Sequence, residues 1–98
     1  MDTDLTNIMV QLRRALPPLK EQYHVQSLGV FGSYVRDEQR PGSDLDLLVT
    51  FDDPPSLLRF IELQNRLSDL LGVRVDLVMR DALKPTIGRS ILQEVMPV

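Results

Sequence analysis

The 98 residues include no cysteine, no tryptophan and a single histidine. Without cysteine there is no disulfide framework, no thiolate metal site and no thiol nucleophile. His24 has no second histidine to complete a transition-metal site, so it is assigned no catalytic role. No apolar run approaches the length needed to span a membrane, and the opening MDTDLTNIMVQ lacks the basic stretch and apolar core of a secretory signal. The expectation is a cytoplasmic protein without membrane association. A basic excess is missing too: 11 Lys and Arg against 14 Asp and Glu leave a net charge of −3. Direct nucleic-acid binding, which needs many phosphate-neutralising cations, is therefore not expected, and a polyanionic ligand would have to be met by local groups.

What is present suits one globular domain over residues 1–98, with 43% hydrophobic and 26% charged residues. Ile8, Met9, Leu12, Ala15, Leu16 and Leu19 recur at helical spacing, with caps expected within Asp2 to Thr6 and an end, kink or restart at Pro17-Pro18. Val25 to Phe31 reads as a strand. Ser33 is a candidate N-cap for a short helix through Arg36, which must stop before the Pro41-Gly42 turn. Asp44 to Phe51 is the second strand. Asp53-Pro54 then opens a helix whose apolar stripe includes Leu57, Leu58, Ile61, Leu67, Leu70 and Leu71, and Gly72 closes it. Val73 to Met79 is the third strand, and Ile87, Ile91, Leu92 and Val95 mark a last helix that Thr86 would cap. This order predicts an α+β (or α/β) domain with a small sheet, the long helix being the crossover between the last two strands.

Two aspartates open the second strand, where unpaired charge is expensive. Side chains alternate, so Asp44 and Asp46 share one face with Leu48, while Leu45, Leu47 and Val49 line the other. Their Cα atoms would lie about 6.6 Å apart. Two like charges about 4 Å apart at an effective dielectric near 20 repel by on the order of 4 kcal/mol, so the pair calls for a cation, a shared proton or open solvent. In VRVDLVM, Asp76 alternates in the same way and joins that face if the third strand lies beside the second. Three carboxylates suit one or two Mg²⁺ ions, and Asp76 is also placed to accept a proton from an attacking hydroxyl. Gly32-Ser33 follows the first strand: glycine permits close approach, and serine adds a hydroxyl beside outward backbone N–H groups, a grip for nucleotide phosphates.

Each element has a plainer reading. An isolated DxD is commonly a solvated edge, a Gly-Ser pair is often only a turn, and Asp76 alone would serve as an ion-pair partner or an edge-strand charge. Arg36 and Arg40, one helical turn apart, read as surface, with contact to triphosphate or an acidic partner the alternative; Lys84 and Arg89 read as surface, with triphosphate contact the alternative. Glu62 and Arg66 form an i,i+4 pair, and Asp52 and Asp53 serve turn and cap.

The combination is more specific than its parts. Gly32-Ser33, ten residues, then Asp44-Leu45-Asp46 resembles the GSX10DXD signature of the polymerase-β-like nucleotidyltransferase superfamily. LGVFGS, SDLDLLV, VDLV and ALKPTIGRSILQEV extend the likeness over nearly the whole chain, whose size resembles the minimal nucleotidyltransferase (MNT) members. The resemblance implies a three- to four-stranded mixed sheet flanked by helices. It implies Asp44, Asp46 and Asp76 as catalytic metal ligands for Mg²⁺, and Gly32 with Ser33 as the nucleotide-binding grip. The reaction implied is transfer of AMP from ATP to a hydroxyl. Many MNT proteins are antitoxins that adenylylate a tyrosine of a HEPN-domain ribonuclease toxin encoded by the adjacent gene. The alternative is an antitoxin or nucleotide-binding regulatory module that acts by binding alone.

Overall fold

Helix α1 runs unbroken from Leu5 to Tyr23 in the computed structural model, which describes residues 5–98. Of the expected caps, Asp2, Thr3 and Asp4 lie outside the described residues, and Leu5 and Thr6 are already helical. Pro17 and Pro18 neither end nor restart the helix. The reason is their placement: both are exposed, as are Arg13 and Arg14, so the carbonyls that lose their i+4 donors lie on the solvent side of the helix, where water can satisfy them. Replacing both prolines by alanine is expected to stabilise the fold by about 1–3 kcal/mol, read from the urea midpoint. An unchanged or lower midpoint would contradict this account of α1.

His24 adopts a left-handed conformation (φ 59°) that turns the chain from α1 into strand β1, Val25–Phe31. Strand β2 spans Leu45–Phe51, one residue later than expected, and β3 spans Val75–Met79. Between them lies α2, Leu57–Leu71. Its N-cap is Ser56, whose hydroxyl accepts from the Arg59 amide, so Asp53 and Pro54 stay in the loop; Gly72 closes it at φ 72° as expected. Helix α3 covers Pro85–Glu94, preceded by Lys84 instead of a Thr86 cap, with proline at its first position. A two-residue strand, β4 (Met96–Pro97), follows.

The sheet order is β3-β2-β1-β4, with β1 antiparallel to both β2 and β4, and β2 parallel to β3 through the α2 crossover. The architecture is α+β with a mixed sheet. A bulge between Val25 and Ser27 returns Val25 to the face of Leu28 and Val30. That face, with Leu45, Leu47, Val49, Val75 and Leu77, packs under α1 and α2 through Ile8, Leu12, Leu63 and Leu67. On the outer edge of β3, the Val75 amide donates to Ser68 Oγ (3.0 Å) and the Leu77 amide to Gln64 Oε1 (2.9 Å). Arg59 stacks on the Tyr23 ring, donates to the Gln22 carbonyl at the end of α1 and pairs with Glu62. Arg66 bonds Gln22 as well, which replaces the expected Glu62–Arg66 pair. Among the described residues no helix is long and apolar enough to cross a membrane.

Candidate active site

The opposite face of the sheet carries the polar residues that the sequence singled out. Asp46 stands opposite Phe31 on β1 and in register with Asp76 on β3, so the crossover brings the two aspartates side by side. Burial is the main reason that the Asp46 carboxyl is pushed up to about 6. The nearby Asp76 and Asp44 charges add to this, and Arg36 opposes it. Asp44, just before β2, is turned toward Arg74 (Nη1 to Oδ1, 3.7 Å) in an exposed pair of small energetic weight. Among the described residues, no three acidic or histidine side chains are gathered closely enough to hold a metal ion as the side chains stand.

The Gly-Ser turn meets the aspartates from β1. Gly32 has φ 83°, in the left-handed region, and a Cβ there would collide with the Asp46 carboxylate. The absence of that one carbon lets the turn lie directly on Asp46. Ser33 is not a helix cap. Gly32–Tyr34 form a single 3₁₀ turn preceded by Phe31, and the Gly32 carbonyl accepts from the Val35 and Arg36 amides. Asp37 then takes a left-handed φ of 57°, so Arg36 and Arg40 do not share a helix face.

Two residues acquire roles that the sequence did not assign. Glu94, the last residue of α3, accepts from the Gly32 amide (2.8 Å to Oε2) and from Arg36 (2.7 Å from Nη1 to Oε1). The Gly32 hydrogen bond, with help from Arg36, holds its carboxyl below the usual range. Arg36, read as solvated surface, also pairs with Glu38 (2.9 Å). Glu94 is delivered by the return of the chain onto β1. Val30 pairs with Met96 and Gly29 with Pro97, and a Cβ at Gly29 would strike Val95 at 2.5 Å. No local pattern signals a contact spanning 62 residues.

The site therefore consists of the half-buried Asp46 carboxylate beside Asp76, with the Gly32 turn seated on it and Asp44 and Arg36 near enough to act on its charge. Residues 12–96 match the family model of the nucleotidyltransferase domain. The protein adenylyltransferase MntA of Thermococcus cleftensis is 54% identical over 80 residues, covering 82% of this chain and 81% of that protein. A solved structure provisionally named a minimal nucleotidyltransferase superposes with a TM-score of 0.81 at 39% identity, covering 97% of this chain and 96% of that one. A toxin-antitoxin crystal structure with AMP-PNP shares the fold, with a TM-score of 0.70 at 24% identity over 99% of this chain and 72% of that one. The chain belongs to the nucleotidyltransferase domain family, and the GSX10DXD resemblance of its sequence is that of a nucleotidyltransferase enzyme.

Proposed function

We propose that this protein is an antitoxin that transfers AMP from ATP to a tyrosine hydroxyl of a HEPN-type ribonuclease toxin. The observation that carries the reading is the seating of the Gly32 turn on Asp46, which joins a phosphate grip to a carboxylate pair in one site. The 54% identical relative named a protein adenylyltransferase supports the reaction class, and the fold shared with toxin-antitoxin complexes is consistent with the partner.

The donor set fits magnesium. Asp46 and Asp76 are hard oxygen donors in cross-strand register, and the charge crowding that adds to burial in raising the Asp46 carboxyl is what a divalent cation relieves. Asp44 gives up only a weak surface pair to join them. When bound, Mg²⁺ supplies charge neutralisation at the phosphates and polarises the phosphorus under attack. The residues do the rest. Gly32 and Ser33 hold the β- and γ-phosphates, leaving the α-phosphate beside the aspartates. The acceptor oxygen attacks the α-phosphorus in line, its proton passes to Asp76, a new oxygen–phosphorus bond forms, and pyrophosphate departs.

The test is the intact mass of the adjacent gene product after incubation with the protein, ATP and Mg²⁺. The expected result is a gain of one or more AMP units that disappears with Asp44→Ala or Asp46→Ala. Neutralisation of the partner without any mass gain would overturn the transfer reading in favour of inhibition by binding.

A further inference from the structure

The donors best placed to receive nucleotide phosphate are already taken. The Glu94 carboxylate splits its two oxygens between them, Oε2 on the Gly32 amide at 2.8 Å and Oε1 on the Arg36 guanidinium at 2.7 Å. A phosphate group, also an anion with several acceptor oxygens, would bridge the same two donors in the same way. Glu94 is not held there by burial, since its side chain keeps 22% of its exposure and Arg36 keeps 50%. Its backbone is fixed, because Met96 pairs with Val30 two residues later. The side chain is therefore the part free to move.

We propose that Glu94 is a resident stand-in for phosphate: in the nucleotide-free protein its carboxylate fills the seat on Gly32 and Arg36, and ATP must displace it to bind. The inference rests on the nucleotide-transfer reading and deepens it. Two consequences follow from charge. The Gly32 amide and Arg36 remain satisfied in the empty site, which keeps the turn in shape. The displaced carboxylate then adds a negative charge near the triphosphate, so apparent affinity is lowered by both the competition and the repulsion. A site whose competent state is about one-tenth populated shows roughly tenfold weaker apparent binding.

Isothermal titration of AMP-PNP with Mg²⁺ into the wild type, Glu94→Ala and Glu94→Gln tests this. Glu94→Ala is expected to bind about tenfold more tightly while melting at a lower temperature, because the tie between α3 and the turn is lost. Glu94→Gln keeps an acceptor oxygen for the Gly32 amide without the charge, and should fall between. A merely structural anchor would lose affinity and stability together. Equal or weaker binding by Glu94→Ala, or by Glu94→Gln should the alanine variant fail to fold, overturns the proposal and leaves the transfer reading intact. Absence of binding by all three proteins overturns both.

Discussion

Asp46→Asn is expected to cut AMP transfer by about 10³-fold or more and, in the same protein, to stabilise the metal-free fold. The two effects share one cause. Burial and the neighbouring aspartates push the Asp46 carboxyl from 3.8 to about 6, so the folded state resists its ionisation. Between those values the native protein binds more protons than the unfolded chain, and stability falls as pH rises through this window. Below about pH 4 the cost is absent, and above about pH 6 it is fully felt. Asparagine cannot ionise, and the gain at pH 7.5 should be about 1–2 kcal/mol once solvent access to the half-buried site is allowed for. Glu94 has the opposite sign. Its carboxyl is lowered from 4.5, so its contribution is present above that value and is lost as pH falls. Comparing Asp46→Asn with the wild type cancels this second term. Thermal melts in EDTA at pH 4 and 7.5 provide the check, and a variant less stable than the wild type at pH 7.5 would refute the account.

Gly32→Ala should cause a comparable loss of transfer, about 10²- to 10³-fold, together with a loss of stability. The left-handed backbone costs any residue with a Cβ roughly 1–2 kcal/mol, and here the added methyl also meets the Asp46 carboxylate. Either the turn lifts or Asp46 rotates, and both separate the proposed phosphate grip from the proposed metal ligands. Gly72→Ala provides the control. Gly72 has a similar φ of 72°, but a Cβ there meets nothing within 4 Å, so this variant carries the backbone penalty alone. Melting temperatures and initial transfer rates distinguish the two effects. If both variants lose similar stability and neither loses transfer, the steric contact is irrelevant to catalysis.

Much of this site could be read from the sequence, for identifiable reasons. A strand's two-residue period puts Asp46 on the face away from the core, and the same period sets Asp76 beside it once a helical crossover makes β3 parallel to β2, whereas Asp44 falls just ahead of the strand and turns to Arg74. The bounds of β1 are equally plain, because Val25 opens it and Val30 and Phe31 close it just before the Gly-Ser pair. The passage of α1 through Pro17-Pro18 was not legible, since the cost of a helical proline depends on whether the orphaned carbonyls reach water. Nor could Glu94 be found, because β4 has only two residues and the contact with Gly32 exists only after the chain folds back. Arg36 is exposed, as expected, but its partner Glu94 has no signal in the sequence.

The side chains of Ser68 and Gln64 have a consequence for assembly. Sheet edges commonly recruit strands from other chains, which dock by taking up the free backbone amides. On β3 the amides of Val75 and Leu77 are already spoken for by α2. An incoming strand would have to strip away these two hydrogen bonds before making its own, so β3 is a poor template for strand addition along Val75–Leu77.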